Sequence, residues 1–212
     1  MPKKNKNNIS ESTLQRISDY LCVLNYLKEQ GVETISSRIL SKMMNISDSQ
    51  IRKDLSYFGS FGKKGVGYNV DEFIEAIEGI MNLSEVHRVC IIGMGRLGTA
   101  LIKYKRMRQT PFNIVAGFDN DPNKIGTTVN NIEIYDIDKI KDISSRLKCE
   151  IAILTVPSYV VHEIYAKISG TCIKALLNFT PIILTGGNGL LVRNMDFVSE
   201  LKIISYYLKE KQ

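Results

Sequence analysis

The sequence lacks an apolar run of the roughly 18 to 20 residues that a membrane-spanning helix requires. Its longest apolar stretches are interrupted by Gly, Lys or Pro. The first residues, MPKKNKNNISES, are positively charged, but no apolar segment follows them, so this stretch is interpreted as a short disordered arm and not as a signal peptide. Membrane insertion and export are therefore not expected, and the sequence predicts a cytoplasmic protein.

Cysteine and histidine, which build most zinc sites and many catalytic centres, are also scarce. Only two histidines are present. The four cysteines form no CxxC pair and each lies among aliphatic residues; they are Cys22, Cys90, Cys149 and Cys172. We therefore expect no metal site and no catalytic triad, and we interpret the cysteines as reduced core thiols of a cytoplasmic protein.

The composition is typical of a folded protein, and its charge is unevenly distributed. Of the 212 residues, 44% are hydrophobic and 24% charged, and the formal net charge is +6. Residues 1–68 hold 11 Lys and Arg against 6 Asp and Glu, a net of +5, and residues 85–212 hold 17 against 12, again +5. Residues 69–84 carry four acidic residues and no base, with apolar residues at helical spacing. This pattern predicts an amphipathic helix and a domain boundary near Asn82 to Glu85.

The first eighty residues show the pattern of three helices. Apolar residues at helical spacing predict a first helix over residues 12–30. Ser36 or Ser37 can cap a short second helix, whose buried side is predicted to hold Ile39, Leu40 and Met43. After a short break, Ser47 and Gln50 form a capping-box pattern at the start of a third helix.

The third helix places polar and apolar residues on opposite faces. At about 100° per residue, Ile51, Leu55 and Phe58 share one side and are predicted to pack on the preceding helices. The other side carries cations and hydroxyls, which can pair with phosphates and bond to base edges. Two short helices with a tight turn are typical of a helix-turn-helix motif, so we predict that the third helix enters the DNA major groove. The predicted DNA-binding residues of this helix are Ser47, Ser49, Gln50, Arg52, Lys53, Ser56 and Tyr57.

The segment FGSFGKKGVGYNV, residues 58–70, favours the two-stranded ribbon of a winged helix. It is rich in glycine and alternates into Val66, Tyr68 and Val70. Lys63 and Lys64 are then predicted at the tip of the wing, where they would bind the DNA backbone. The alternative is a small helical unit whose polar face is solvated and does not bind DNA.

A glycine-rich loop follows the first predicted strand of the remaining chain. The strand covers residues 89–92, the string GMGRLG follows, and a helix pattern comes next. A GxGxxG string in this context is typical of a dinucleotide-binding fold. Gly93 allows the tight turn, Gly95 lets the backbone approach a diphosphate, and Gly98 allows close packing of helix and strand. The diphosphate would bind the free N–H groups at the start of the helix.

The second predicted strand ends in an acidic residue that suits an adenosine ribose. Asp119 lies 21 residues after Gly98, where a carboxylate accepts hydrogen bonds from ribose hydroxyls and repels a 2′-phosphate. None of the next three residues is an arginine that could bind such a phosphate, so NAD(H) is favoured over NADP(H). Lys124 is the nearest cation and leaves NADP(H) open as an alternative.

Strands and helices then alternate, which predicts a doubly wound, mostly parallel sheet of the α/β class. Because ligands bind at the carboxyl ends of such strands, we expect two loops near the nicotinamide. They hold Thr155, Val156 and Pro157, and Asn178, Phe179 and Thr180.

The last segment, NMDFVSELKIISYYLKEKQ, predicts a helix that is apolar on more than one side. One stripe holds Phe197, Leu201, Ile204 and Leu208, and Val198, Ile203, Tyr206 and Tyr207 lie off that stripe. Such a helix requires a second surface to cover it. The rest of the chain offers no second covering domain, so another subunit is the expected partner.

Together these segments resemble the family of redox-sensing transcriptional repressors called Rex, over about Ile9 to Lys209. The resemblance rests on ISSRILSKMMNISDSQIRKDLSYFGSFGKKGVGYNV, GMGRLG, AGFDNDPNKIG, IAILTVP, LLNFTP and MDFVSELKIISYYL. It implies a homodimer of chains with a winged-helix domain, a Rossmann domain and exchanged C-terminal helices. It further implies that NADH releases an inverted-repeat operator, that NAD⁺ permits DNA binding, and that genes of fermentative NADH reoxidation are then derepressed.

The resemblance also implies roles for single residues. Tyr104, Asp196 and Arg16 match positions of the family's switch, and a charge pair between Arg16 and Asp196 would tie domain orientation to ligand state. Arg96 stands where the family commonly has Asn. The predicted cofactor-binding residues are Gly93, Met94, Gly95, Arg96, Leu97, Gly98, Asp119, Lys124, Thr155, Val156, Pro157, Asn178 and Phe179.

The predicted organisation is a winged-helix domain with an acidic helix over 1–84, a Rossmann domain over 85–195 and a dimerisation helix over 196–212. Two other functions remain open: an NAD-dependent oxidoreductase with an accessory domain, and a regulator that senses another adenine ligand such as coenzyme A. The oxidoreductase is less favoured because no Lys–Tyr or Cys–His constellation lies near the strand ends.

Overall fold

The computed structural model of the chain describes residues 9–58, 67–187 and 189–210. The chain divides between Ser84 and Glu85 into two compact units, the N-terminal unit and the C-terminal unit. This division lies within the boundary that the acidic segment predicts. Each unit has a hydrophobic core of its own.

In its described residues, the N-terminal unit contains four helices and one pair of short strands. The helices are α1 (Glu11–Glu29), α2 (Ser37–Met44), α3 (Asp48–Leu55) and α4 (Val70–Ile80), and a 3₁₀ turn over Ser56–Phe58 follows α3. Strands β1 (Thr34–Ile35) and β2 (Tyr68–Asn69) pair antiparallel. Each helix begins at a side chain that accepts a hydrogen bond from its first turn; these caps are Ser10, Ser36, Ser47 and Asn69.

All four helices contribute to the core of the N-terminal unit. Its fully buried side chains include Ile17, Tyr20, Leu24, Leu40, Ile51, Phe73 and Ile77. The predicted amphipathic helix of the acidic segment is α4, and its acidic residues point away from this core.

Two burial predictions for α2 are wrong. Leu40 is buried, but Ile39 is 53% and Met43 is 45% exposed. Leu40 and Met44, one helical turn apart, face the core. Ile39 and Met43 form the adjacent row of this short helix, and that row faces solvent.

Most of the predicted two-stranded ribbon lies outside the described residues. Lys63 and Lys64 belong to residues 59–66, which lie outside the described residues. Tyr68 and Asn69 form a strand, and among the described residues it pairs with Thr34–Ile35. Val70, predicted in a strand, is the first residue of α4 because Asn69 caps a helix there.

The C-terminal unit is built on a sheet of seven strands in the described residues. They are β3 (His87–Ile92), β4 (Phe112–Asp119), β5 (Thr128–Val129), β6 (Ile132–Asp136), β7 (Ile151–Leu154), β8 (Ala175–Asn178) and β9 (Leu191–Asn194). Their spatial order is β5-β6-β4-β3-β7-β8-β9, and every pair is parallel except β5 with β6. Apart from the short β5, this is the 3-2-1-4-5-6 order of a Rossmann fold. The predicted doubly wound sheet is confirmed.

Helices cover the sheet and bury both of its faces. The covering helices are α5 (Arg96–Lys103), α6 (Ile140–Arg146) and α7 (Val161–Ile168). The last helix is α8 (Phe197–Glu210). Alternate residues of β3 belong to two different apolar clusters, Cys90 and Ile92 to one, Val89 and Ile91 to the other. Burial on both sides is what the uninterrupted apolar run of this central strand indicates.

The prediction of four core thiols is only half right. Cys90 and Cys149 are buried, whereas Cys22 and Cys172 are exposed. Cys22 lies in α1, where consecutive residues point in directions about 100° apart, so aliphatic sequence neighbours do not make a residue buried. Cys172 lies in the turn that precedes β8.

The last helix, α8, has apolar side chains exposed on more than one side of its axis. Phe197 is 74% and Leu208 is 62% exposed. The same holds for Val198, Leu201, Ile203, Ile204, Tyr206 and Tyr207. None of the helices in the described part of the chain has the length and apolar character needed to cross a bilayer.

Candidate functional site

Helices α2 and α3 form a helix-turn-helix. Asn45 ends α2 in a left-handed conformation with φ of 53°, which asparagine tolerates better than most residues. Two residues later, the Ser47 hydroxyl accepts a hydrogen bond from the Gln50 N–H at 3.2 Å and begins α3. The chain therefore turns between the two helices within residues 45–47.

Helix α3 presents a polar face to solvent, as its sequence predicts. Ile51 and Leu55 are buried in the core of the N-terminal unit. Arg52 forms an ion pair with Asp48 one turn earlier on the same helix, and its side chain is 60% exposed. The predicted DNA-binding side chains on the exposed face are Ser47, Ser49, Arg52, Lys53, Ser56 and Tyr57.

Gln50 departs from its predicted place on the DNA-binding face. The Ser47 half of the capping box forms, but the Gln50 side chain donates to Asp54 at 2.8 Å. Gln50 is therefore half-buried and directed along α3 toward Asp54. The reason is that residues four apart on a helix are neighbours, and Asp54 offers a charged acceptor.

A buried carboxylate behind this face was not predicted. Asp54 is 1% exposed, and its Oδ2 accepts from Arg16 Nε at 2.7 Å and Tyr20 Oη at 2.8 Å. Its Oδ1 accepts from Arg16 Nη2 and Gln50 Nε2, both at 2.8 Å. We call Arg16, Tyr20, Gln50 and Asp54 the Asp54 network.

The Asp54 network keeps its carboxylate ionised. Burial on its own would raise the pKa of Asp54, but hydrogen bonds from Arg16, Tyr20 and Gln50 lower this pKa below its ordinary value. The hydrogen bond to Asp54 correspondingly raises the pKa of Arg16, although burial opposes it. Arg16, which the family resemblance places in the switch, thus pairs with a carboxylate of its own unit.

In the C-terminal unit, the glycine-rich loop has the geometry of a dinucleotide-binding turn. Gly93 has φ of 96°, and a Cβ there would lie 2.8 Å from the Thr155 carbonyl. A Cβ on Gly98 would lie 2.1 Å from the Gly93 carbonyl oxygen, so only glycine fits between helix and loop. The Thr155 hydroxyl donates to the Gly93 carbonyl at 2.7 Å and joins the loops that follow β3 and β7.

Gly95 and the start of α5 leave room for an anion. A Cβ on Gly95 would meet no atom within 4 Å, which shows open space beside this backbone. Gly95 is also the N-cap of α5 and offers no side-chain hydrogen bond to the first turn. The first N–H groups of a helix have no partner within the helix, so these groups suit a diphosphate.

Asp119 stands at the end of β4, beside the glycine-rich loop. Its Oδ2 accepts from the Met94 N–H at 2.8 Å and from Lys124 Nζ at 3.0 Å, and its Oδ1 accepts from the Asp121 N–H at 2.9 Å. Burial alone would raise the pKa of Asp119, but these three hydrogen bonds lower it below its ordinary value. An ionised carboxylate has about four acceptor sites, so one remains for a ribose hydroxyl.

These residues surround a cavity of about 600 Å³ at the carboxyl ends of β3, β4 and β7. Its size falls within the usual range for small-molecule sites. Of the predicted cofactor-binding residues, it is lined by Gly93, Gly95, Asp119, Lys124, Thr155, Val156 and Pro157. Lining residues that were not predicted include Asn120, Asp136, Ile137, Asp138, Tyr159, Glu163 and Lys167. The available signal was their position at or after the ends of β4 and β6, or in the segment from Tyr159 through α7.

One end of the cavity is acidic, and its cations are already paired. Lys167 binds Asp138 at 2.5 Å and Glu163 at 3.0 Å. Lys124 binds Asp119 at 3.0 Å. This end therefore repels a further phosphate, such as one carried on an adenosine ribose.

Several predicted cofactor-binding residues lie outside the cavity lining. Met94 is buried in the core and contributes its backbone N–H, which holds Asp119. Arg96 and Leu97 are exposed at the start of α5, and Gly98 packs beneath the loop. Phe179 packs against an apolar cluster of the sheet.

Asn178 requires a correction. Its side chain is fully buried, its amide donates to the Ile182 carbonyl and Asn194 Oδ1, and its oxygen accepts from Thr180. These bonds hold the chain after β8 against β9. A side chain with its donors and acceptor bonded within the fold serves the fold and not a ligand.

The two other predicted switch residues lie at helix ends. Tyr104 follows α5 and is 52% exposed. Asp196 precedes α8, where it accepts from the Val198 N–H at 3.0 Å and from the Ser199 hydroxyl at 2.7 Å. These hydrogen bonds lower the pKa of Asp196 below its ordinary value.

Comparison with known protein families assigns each unit separately. A family model for a DNA-binding protein N-terminus matches residues 8–56, which include α1, α2 and α3. A model described as a CoA binding domain matches residues 84–182, which include the glycine-rich loop and the cavity residues.

Individual proteins match nearly the whole chain. A redox-sensing transcriptional repressor Rex from Desulfitobacterium hafniense is 40% identical over 198 residues, which are 93% of this chain and 94% of the relative. The crystal structure of RSP with β-NAD⁺ and operator DNA has a TM-score of 0.90 at 33% identity, covering 97% of this chain and 94% of RSP. The structure of RSP with β-NADH, a Rex-family repressor, has a TM-score of 0.87 at 32% identity, covering 99% and 97%. With relatives this similar over almost its full length, the chain belongs to the Rex family of redox-sensing transcriptional repressors.

Proposed function

We propose that the chain is a cytoplasmic, homodimeric repressor that holds an inverted-repeat operator and releases it when NADH binds. The observation that carries the proposal is that one chain contains both a DNA-binding motif and a dinucleotide-binding loop. One is a helix-turn-helix with an exposed basic face, and the other is a dinucleotide loop with an ionised Asp119 beside it. RSP, which shares both units, binds operator DNA with β-NAD⁺ and also binds β-NADH.

The operator would be bound by α3. Arg52 and Lys53 supply cations for phosphates and base edges, and Ser49, Ser56 and Tyr57 supply hydroxyls. Ser47, at the N-cap, lies where a helix start meets the DNA backbone. Lys63 and Lys64 are proposed to add backbone contacts from the wing.

The dinucleotide would be bound in the 600 Å³ cavity. The N–H groups at the start of α5 bind its diphosphate, and Gly95 allows the close approach. Asp119 accepts from the adenosine ribose. Thr155, Val156 and Pro157 then line the nicotinamide end. The bound group supplies the signal through its oxidation state, and the chain binds it without turning it over.

Switching would pass through Arg16, Tyr104, Asp196 and α8. The apolar side chains of α8 are exposed in the single chain, and a second copy would bury them. Asp196 accepts a hydrogen bond from the first turn of α8, so its position depends on where α8 is bound. The pairing of subunits also matches a DNA site with two-fold symmetry.

A titration against DNA tests the proposal. A labelled inverted-repeat duplex, selected by the protein from a random library in NAD⁺, is bound by the chain and followed by fluorescence anisotropy. We expect saturating NADH to raise the Kd for this duplex at least about tenfold, within the usual range of allosteric coupling. A duplex of scrambled sequence is the control. Equal Kd values in saturating NADH and NAD⁺ would contradict the proposal.

The match to a CoA binding domain supports a second candidate ligand, coenzyme A. The paired lysines and the acidic end of the cavity disfavour a phosphorylated ribose, and coenzyme A carries one. We therefore expect NAD⁺, and not coenzyme A at equal concentration, to reverse the fluorescence change of bound NADH. A response to coenzyme A without any response to NADH would favour the second candidate.

A further inference from the structure

The Asp54 network joins α3, the helix that would read DNA, to α1, the first helix of the N-terminal unit. Asp54 and Gln50 belong to α3, and Arg16 and Tyr20 belong to α1. One charged and two neutral side chains donate four hydrogen bonds to the carboxylate of Asp54, which is 1% exposed. Arg16 Nη2 also donates to Thr13 at 2.9 Å, which fixes its guanidinium on α1.

This network constrains the rotation of α3 in a way that its apolar contacts do not. Helix α3 has eight residues, and Ile51 and Leu55 are its buried apolar side chains. Apolar packing is non-directional, whereas the four bonds to Asp54 are directional. A rotation of about 20° would move side-chain atoms of a helix about 10–12 Å wide by about 2 Å. Hydrogen bonds tolerate only about 2.7–3.2 Å between heavy atoms, so such a rotation would break the network.

The position of the network on α3 links this constraint to the exposed face. Arg52 lies about 160° around the helix from Asp54, and Lys53 about 100°. When Asp54 is fixed against α1, the directions of these two cations are fixed as well. A bidentate contact between arginine and guanine requires that direction, whereas attraction to phosphates does not.

We propose that Asp54 is a positioning residue, which holds α3 at the rotation that distinguishes operator from other DNA. This inference rests on the proposed function and extends it to a residue that touches no DNA. Arg16 and Tyr20 supply the bonds to Asp54 from α1, and Asp54 acts through Arg52 and Lys53. The expected effect is therefore on sequence discrimination, and much less on the general affinity for DNA.

The experiment compares the full-length protein with Asp54→Asn, Tyr20→Phe and Asp71→Asn. Kd values are measured for the selected inverted-repeat duplex and for a scrambled duplex, well below the unfolding temperature of each variant. The control Asp71 forms an exposed ion pair with Lys28 at 2.7 Å in the same unit. Binding of NADH is measured in parallel by fluorescence.

Asp54→Asn should lower the ratio of the scrambled Kd to the selected Kd by about tenfold, the size of one disturbed base contact. Tyr20→Phe removes one of the four hydrogen bonds to Asp54 and should lower this ratio by about threefold. Asp71→Asn should leave it unchanged. In all three variants the scrambled Kd and the NADH Kd should stay within about twofold of the wild type, since phosphate contacts and the C-terminal unit are unaltered.

Two results would overturn the proposal. One is an unchanged ratio in folded Asp54→Asn, or in Tyr20→Phe if Asp54→Asn does not fold. The other is an equal loss for both duplexes, which a purely structural role predicts because unfolded chains lose all DNA binding. A wild-type protein that fails to distinguish the two duplexes would refute the proposed function instead.

Discussion

At the scale of single residues, the glycine-rich loop shows three different reasons for lacking a side chain. Gly93 has a positive φ and faces the Thr155 carbonyl, and Gly98 faces the Gly93 carbonyl oxygen. Gly95 has free space where a Cβ would be. Two of these glycines are therefore required by the fold, and the third is required only by what enters the cavity.

Substitutions of Gly98 and Gly95 should distinguish a glycine required by the fold from one required by ligand binding. Gly98→Ala should lower the free energy of unfolding by about 1–3 kcal/mol, because its Cβ would overlap backbone. Gly95→Leu should unfold close to the wild type but bind NADH at least about tenfold more weakly and no longer release the operator. Gly170→Ala, where a Cβ meets no atom within 4 Å, is the control. Urea unfolding and NADH fluorescence measure both effects, and unimpaired NADH binding in Gly95→Leu would contradict the assignment.

The carboxylate of Asp119 should contribute stability that depends on pH. Its pKa in the folded chain is below the ordinary value of about 3.9 that the unfolded chain retains. Its contribution is therefore complete above that ordinary value and is lost as the pH falls through the lower, folded pKa. The difference in free energy of unfolding between wild type and Asp119→Asn should be constant from about pH 7 to 5 and shrink below about pH 4. Urea unfolding across this range measures it, and a difference that does not change with pH would exclude this role.

At the scale of elements, the two faces of α3 have different proposed roles, packing on one side and DNA binding on the other. Its buried face holds the helix in the unit, and its exposed face offers Arg52 and Lys53. The ion pair between Arg52 and Asp48 is exposed and contributes little to stability. The cations of this face should therefore be replaceable without loss of fold.

Arg52→Ala and Lys53→Ala should each abolish operator binding while NADH affinity and the unfolding temperature stay near wild type. The salt dependence of the remaining non-specific DNA binding should also weaken by about one counterion per lost phosphate contact. Lys141→Ala, an exposed lysine of α6, is the control. Anisotropy at several salt concentrations measures all three proteins. Loss of NADH binding together with operator binding would mean that the helix has a structural role only.

Long elements with a strong pattern were predictable from the sequence, and features made by distant residues were not. The second predicted strand, which ends at Asp119, is the observed β4, because its apolar run is long and ends at an acidic residue. Strand β9, Leu191–Asn194, was missed because it is short and mostly exposed at the sheet edge. The Asp54 network joins residues 38 positions apart, and no local pattern indicates such a contact. In the same way, the loop glycines and Asp119 were predicted, but the contribution of Asp138 and Lys167 to the cavity was not.

At the scale of the whole molecule, α8 accounts for the expected pairing of subunits. Its apolar side chains are exposed in the single chain, so their burial would stabilise a dimer without changing the fold of either unit. Leu201→Glu with Ile204→Glu should give a folded monomer with much weaker operator binding, because only one half-site would be bound. Lys202→Glu on the same helix is the control and should remain a dimer. Sedimentation equilibrium measures the mass, and a dimeric double variant would contradict the role of α8.

The exposure of α8 also has a consequence for gene dosage. If two chains must pair before they bind a full operator, the concentration of active repressor varies with the square of the chain concentration when that concentration is low. Halving the number of chains would then reduce the active form about fourfold, provided most chains are unpaired. Cells that make little of this protein would thus respond steeply to small changes in its synthesis, before any change in NADH.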